Sequence, residues 1–299
     1  MQPRIPLPSP LAHTPFTRAN ALAAGLGTNR INGPDLLRPF HGVRHPGGLA
    51  LSFEARCRAF TLRMPPAAFF SSVTAARLQG IPLPLELQQT PVIHVAVPAP
   101  HHASAARGVI GHKVQLMGDD VHELHGLRLS TPARLWCELA AELDLGDLVA
   151  AGDYIIHWRL PLCSLEELRD AVERFPGRTG RAKLRAALLL LNNRSESPRE
   201  SLLRVILVSA GLEGLRANLR VRVRGRAFRI DLALPRYKIA LEYQGEHHND
   251  PEQWRKDMTK REILATDGWH TMEINADDLH GTELIERIRI TISARPTFD

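Results

Sequence analysis

Asp231 and Glu242 are the two residues whose types and spacing best suit chemistry on a charged substrate. Each is a carboxylate inside a short segment otherwise patterned for burial, FRIDLAL in one case and KIALEYQG in the other. Period-two alternation predicts that Phe228, Ile230, Leu232 and Leu234 share one face of a strand while Arg229, Asp231 and Ala233 share the other. It likewise sets Ile239, Leu241 and Tyr243 toward a core and turns Ala240, Glu242 and Gln244 the opposite way. If the two strands pair, Asp231 and Glu242 converge at one end of a small sheet, where their charges repel unless a divalent cation lies between them. Oxygen-only ligands suit a hard ion such as Mg²⁺, with Mn²⁺ as the variant. Such an ion neutralises charge developing on a phosphate and generates a nucleophile from water near neutral pH, which is the chemistry of phosphodiester cleavage. A carboxylate on the outer face of an amphipathic strand is ordinary for either residue alone; the joint placement points to a site.

The elements that must position this pair are well signposted. In SPRESLLRVILVSAG, Ser197 stands as an N-cap, Pro198 at the first helical position and Glu200 three residues after the cap, before an apolar run that ends at Gly211. That spacing makes Glu200 a capping-box carboxylate without any catalytic role, although both roles can coexist. LRVRVRGRAFRIDLALP reads as a β-hairpin turning near Gly225. NDPEQWRKDMTKREILATDG reads as a helix with Asp250 as N-cap, Pro251 first, Gln253 three after the cap and Gly268 just past the end. Its Arg255, Lys256, Lys260 and Arg261 form a cationic surface for phosphate or for transition-state charge, or else a solvated face. Arg220, Arg222, Arg224 and Arg226 belong to a run of arginines from 216 to 229 with no intervening acid, a candidate sequence-independent DNA track. His247 and His248 follow the second carboxylate closely, and an imidazole titrates near neutrality, as a general acid or base must. Trp254 and Trp269 are expected in the core beside the sheet.

In order, Glu200, Asp231 and Glu242-Tyr-Gln244 resemble the PD-(D/E)XK nucleases. From about Ser195 to Leu279 the chain is similar to the DUF559 endonuclease-like domain, a relative of very-short-patch mismatch repair endonucleases. The resemblance implies a mixed sheet flanked by helices, a metal held by Asp231 and Glu242, and Glu200 approaching it directly or through water. It puts a histidine near the active centre at the place of His247 and His248. Gln244 then stands where the motif carries lysine, and a neutral amide orients water or phosphate but supplies no positive charge or proton, a charge for which Lys260 or Arg261 is the candidate replacement. A rival expectation is therefore a non-cleaving DNA-binding regulator of antitoxin type built on a nuclease fold.

Upstream, the first fifteen residues carry five prolines and read as a flexible lead-in. FTRANALAAGLGTNRI then predicts a short helix capped by Thr17, a glycine turn near Gly25 to Gly27 and a second helix, and LLRPFHGVRHP follows as a strand. Residues 16–50 thus outline a winged-helix-like DNA-binding part, or else a small helical cap with no ligand, and loosely resemble the winged-helix domains that accompany such nucleases and abortive-infection antitoxins. Residues 51–194 read as a mixed α/β connecting region, with an alternating strand at VIHVAVPAP and helices at STPARLWCELAAEL and CSLEELRDAVERF. Its histidines, including His101, His102, His112, His122 and His125, match no metal-ligand spacing. The basic start of GRTGRAKLRAALLLL, with Lys183, reads equally as a phosphate contact or a solvated helix start, and the polar NNRSESP reads as the linker to a nuclease-like domain over 195–299.

At 299 residues with 44% hydrophobic and 23% charged side chains, the chain is an α/β globular protein of two or three units, neither fibrous nor disordered. No apolar run is long enough to span a membrane and the start has no signal-peptide pattern, so a cytoplasmic protein is expected. Three scattered cysteines build no disulfide framework or zinc knuckle. The net charge of +6 favours a polyanionic partner. Residues 196–299 hold seventeen Lys and Arg against seventeen Asp and Glu, so the surplus lies upstream of the carboxylate pair. The partner expected is DNA, with no membrane and with a homodimer admissible.

Overall fold

The computed structural model describes residues 5–47, 51–244, 251–279 and 281–298, apart from the side chains of 251–254. The chain divides into two compact units, Met1–Gly80 with Leu85–Thr131, and Ile81–Pro84 with Pro132–Asp299. No helix among the described residues is long and apolar enough to cross a membrane.

The first unit opens with β1 (Phe16–Thr17), α1 (Arg18–Ala23), α2 (Thr28–Ile31), β2 (Leu36–Leu37) and β3 (Val43–Pro46). Thr17 caps α1 by accepting from the Asn20 backbone N–H at 3.1 Å while the Asn20 side chain reaches back to Thr17, and Gly25 ends the turn at a φ of +79°. The strands form an antiparallel sheet in the order β1-β3-β2, so the segment after α2 supplies two paired strands rather than one. The proline-rich start belongs to this core from Ile5 on: Leu11 is buried with Phe16, Ile31 and Leu36, Leu7 packs against them, and the Ile5 carbonyl accepts from Arg30 at 2.5 Å. So small a helix pair cannot close its own apolar centre, and the lead-in expected to be free covers it.

There follow α3 (Phe53–Thr61), β4 (Phe69–Phe70), α4 (Ser72–Leu78), α5 (Leu85–Gln89), β5 (Ile93–Pro98), β6 (Val109–Val114), β7 (Val121–Leu124) and β8 (Leu127–Ser130). Their mixed sheet runs β6-β5-β4-β8-β7. Ile93 to Val97 are buried without alternation, because β5 lies between two neighbours and both of its faces are covered. His101 and His102 are exposed and His112 stacks on buried His94, and no group of three His, Cys, Asp or Glu side chains among the described residues is arranged to hold a metal.

The second unit begins with α6 (Pro132–Leu139), α7 (Leu145–Ile155), α8 (Leu165–Arg174), α9 (Arg181–Leu190) and α10 (Pro198–Ser209). Lys183 donates to the Ala140 carbonyl at 3.0 Å and to that of Leu143, closing the end of α6, so its ammonium is engaged within the fold. The polar stretch before α10 is internal to this unit and is not a boundary. Buried Asp153 of α7 accepts from Asn192 N–H at 2.6 Å, from Ser201 Oγ at 2.6 Å and from the Arg204 guanidinium, tying α7 to α10 across that stretch. The stretch contributes a backbone N–H to that buried charge, and its Ser195 hydroxyl lies 2.8 Å from that of Ser201.

After α10 come β9 (Arg216–Val223), β10 (Arg226–Leu234), β11 (Ile239–Tyr243), α11 (Pro251–Thr266), β12 (His270–Ile274) and α12 (Glu283–Ser293). The sheet runs β12-β11-β10-β9, with β11 and β12 parallel and the other pairs antiparallel. Leu203 and Leu207 of α10 and Leu284 and Ile288 of α12 cover one face through Leu232, Leu234, Ile239 and Leu241. Leu264 of α11 and Trp269 cover the other through Ile230, Ala233 and Ala240. The unit is thus a mixed sheet flanked by helices, and Trp269 is core as expected.

Candidate active site at one end of the β9 to β12 sheet

The β9–β10 hairpin turns through Arg224 and Gly225, both at positive φ, +50° and +78°, the conformation whose twist matches paired strands. Beyond the turn the expected alternation fails at one place. Phe228 and Ile230 pack with the Trp269 cluster, whereas Leu232 and Leu234 pack with the α10 and α12 cluster, so the inward face changes side across Asp231. On β9 the same change occurs between Ala217 and Leu219, across Asn218. Ladder pairs flank these two residues, Ile230 with Leu219 and Leu232 with Ala217, but Asp231 and Asn218 do not pair with each other. Asn218 holds a left-handed φ of +52°. A local break of this kind re-aims a side chain that a regular strand would send to one face.

Asp231 is half-buried, and its Oδ2 accepts from the Tyr243 backbone N–H at 3.2 Å. The register Leu232 with Leu241 and Ala233 with Ala240 brings Glu242 level with Asp231 on the neighbouring strand. Glu242 Oε2 accepts from Lys260 Nζ at 2.6 Å, and its Oε1 is buried without a hydrogen-bond partner. Burial pushes the Glu242 carboxyl up to about 7, the charge of Asp231 adds to the rise, and Lys260 opposes it. Asp231 is raised as well, first by burial, with Lys260 again the main opposing charge. Two inward carboxylates therefore share one ammonium.

Glu200 lies close enough for the charge of Asp231 to contribute to its own raised pKa, after burial as the first cause. Its oxygens are engaged locally: Oε1 accepts from Ser197 Oγ at 3.1 Å, and Oε2 accepts from Glu196 N–H at 3.1 Å and Asn218 Nδ2 at 3.0 Å. The Ser197 cap is present, but Glu200 closes it on the Glu196 N–H and the Ser197 hydroxyl rather than on the Ser197 N–H of a capping box, and through Asn218 it reaches the strand break. Gln244 points to the other neighbour, donating from Nε2 to Glu273 Oε1 at 3.1 Å. Lys260 and Arg261, read from the sequence either as a solvated face or as replacements for the charge that Gln244 lacks, are in ion pairs with Glu242 and Glu273. Arg255 and Lys256 are exposed, as are Arg220, Arg222, Arg224 and Arg226, with Arg220 facing Arg229 across the hairpin. His247, His248 and Asp250 lie outside the described residues, as does the Trp254 side chain.

Three participants escaped the sequence reading. Glu273 is level with Glu242 on β12, Asp257 adds to the rise of both Asp231 and Glu242, and Asn218 Oδ1 is a second buried oxygen without a partner. The signal for Glu273 was present, because it stands between buried Met272 and Ile274 as Glu242 stands beside buried Leu241. Asp257, Lys260 and Arg261 are spaced three and four residues apart, one face of a helix. Buried oxygens without donors beside crowded carboxylates make a donor set that suits a hard cation.

Over 208 residues, 69% of this chain and 73% of the relative, the sequence is 28% identical to an uncharacterized protein of Mycobacterium tuberculosis strain CDC 1551 / Oshkosh. The same identity and coverage hold for an uncharacterized protein of strain H37Rv. No family model matches the chain. No solved structure matches it.

Proposed function

We propose that the second unit is a divalent-cation-dependent endonuclease of restriction-endonuclease type, in the PD-(D/E)XK pattern of DUF559 domains, and that the chain acts on DNA. The observation that carries this reading is the pair of inward carboxylates, Asp231 and Glu242, set against a single ammonium with one Glu242 oxygen left without a donor. Carboxylates so arranged cost free energy that a cation would relieve. Asp231 and Glu242 are the residues that would hold Mg²⁺ or Mn²⁺, and an incomplete protein ligand set suits Mg²⁺, which keeps waters and takes substrate phosphate oxygens. When bound, the ion would supply positive charge against the phosphate and make water a better nucleophile.

The remaining work belongs to the chain itself. In hydrolysis a water oxygen bonds to phosphorus, the bond from phosphorus to the leaving sugar oxygen breaks, one proton leaves the water and one reaches the leaving oxygen. Lys260 supplies beside Glu242 the positive charge that Gln244 lacks, so an ammonium from α11 takes the part of the motif lysine. Glu200 holds the end of α10 and, through Asn218, the strand break that frees Asp231. His247 and His248 are assigned proton transfer on their sequence position alone. The exposed Arg220, Arg222, Arg224 and Arg226 contact phosphates without reading bases.

A second reading, a DNA-binding regulator that does not cleave, is favoured by one observation: Gln244 is committed to Glu273 and Lys260 already neutralises Glu242. The test is cleavage of supercoiled plasmid and short single-stranded DNA with Mg²⁺ or Mn²⁺ by the wild type, Asp231→Ala and Glu242→Ala. Cleavage abolished in both variants supports the nuclease. Salt-sensitive retention on DNA without metal, and no cleavage by folded wild type, supports the regulator.

A further inference from the structure

The first unit holds twelve Lys and Arg against six Asp and Glu, so it carries the whole +6 of the chain and leaves the second unit neutral. Much of this charge lines one open cleft of 1070 Å³, bounded by the start of α1, the turn between β2 and β3, α3, and the segment before β6. Arg18, Arg38, Arg44, Arg56, Arg63 and Arg107 all border it, and no aspartate or glutamate is among its lining residues. We infer that this cleft is a phosphate-binding trough that grips the backbone of duplex DNA.

Arg44 forms the floor. It is buried and donates to the Ile31 carbonyl at 2.9 Å, the Val43 carbonyl at 3.1 Å and Asn32 Oδ1 at 3.0 Å. Burial lowers its pKa, and Arg38 and Arg18 lower it further, so three guanidiniums crowd one another with no acid between them. Arg56 lies over the Phe40 ring at 5.2 Å, and its Nε is buried without a hydrogen-bond partner. Arg63 is steered by its hydrogen bond to the His41 carbonyl at 2.6 Å, and Arg38 by one to the Asn32 carbonyl at 3.2 Å. Like charges held together by the fold cost free energy that anions relieve.

The shape and lining select among anions. Arginines contributed by segments from residue 18 to residue 107 exceed what one phosphate group can engage, and they line a trough rather than an enclosed pocket. The phenyl rings there, Phe40 and Phe60, are buried at 6% and 2% exposure, which leaves the His41 imidazole, set against Arg63, as the one exposed ring in the lining and no row of rings for stacking successive nucleobases. Recognition is then by phosphates in series, as along a duplex backbone. The inference rests on DNA as the partner of this unit and is independent of metal and of cleavage.

The test uses the full chain in EDTA, so that loss of nuclease activity does not bear on it, and follows the anisotropy of a labelled duplex of about 20 base pairs as salt is varied. The wild type is compared with Arg38→Glu/Arg63→Glu and, in case that pair perturbs folding, with Arg18→Glu/Arg107→Glu, whose side chains are exposed. Each double variant should bind at least about tenfold more weakly, and its plot of log affinity against log salt should be shallower by about two, near 0.9 for each phosphate no longer neutralised. Arg38→Lys/Arg63→Lys should retain most of the salt dependence. Unchanged affinity and slope in both charge-reversal variants would overturn the inference. So would binding of ATP or inorganic phosphate, measured by calorimetry, without retention of the duplex, which would make the cleft a site for a free phosphate compound.

Discussion

Lys260 Nζ donates to Glu242 Oε2 at 2.6 Å, so the helix that crosses from β11 to β12 returns its one inward ammonium to the strand it has just left. Both side chains are largely removed from solvent, at 22% and 15% exposure. Removing one partner leaves a poorly solvated charge without its counter-charge.

Lys260→Met should destabilise the protein by roughly 1–3 kcal/mol near pH 8 and by much less near pH 5, where Glu242 takes up a proton. Urea unfolding at the two pH values measures this. An equal loss at both would mean that Lys260 stabilises through packing and not through Glu242.

For Glu242 the sign of the pH effect follows from a folded pKa raised from 4.5 to about 7. A raised carboxyl favours the folded state while it is protonated, so the contribution is complete below about 4.5 and is lost as pH rises through about 7. Glu242→Gln keeps the shape and abolishes the loss. The variant should gain on the wild type from about pH 5 to about pH 8, by at most about 3 kcal/mol. A difference that is flat across this range would contradict the buried, strained state of the carboxyl.

Millimolar Mg²⁺ should raise the melting temperature of the wild type near pH 8, since a ligand that binds only the folded state stabilises it by mass action. Asp231→Ala and Glu242→Ala should show no such rise. A shift that persists in both variants would locate the cation elsewhere.

Asn218 offers a test of the strand break. Its left-handed backbone suits Asn or Gly and strains a β-branched residue. Asn218→Gly and Asn218→Val both lose the bond to Glu200, but the valine variant should be less stable than the glycine variant by about 1–3 kcal/mol. Equal stability in denaturant would mean that the conformation is not enforced by the fold.

Much of the scaffold was legible because it is local. The Thr17 and Ser197 caps, the turn at Arg224 and Gly225, and the end of α11 near Gly268 each depend on residues a few positions apart, and each is present. The level placement of Asp231 and Glu242 was expected on condition that the two strands pair, which the register meets, although the period read through Asp231 fails there.

The rest needed the folded chain. The sequence of α11 has no clean apolar stripe, so its rotation, and with it the placing of Lys260 against Glu242 and of Arg261 against Glu273, is set only when Leu264 and Trp269 pack on the sheet. Glu273 joins the cluster only through the parallel pairing of β12 with β11, and the face change at Asp231 arises where β10 must serve two cores on opposite sides. The boundary expected at 194 vanished for the same kind of reason, since Asp153 and Arg204 lie 51 positions apart and their ion pair outweighs the polar look of the segment between them. Caps, turns and periods are fixed by neighbours along the chain. Which charges share a buried volume is fixed by neighbours in space, where desolvation makes each partner compulsory.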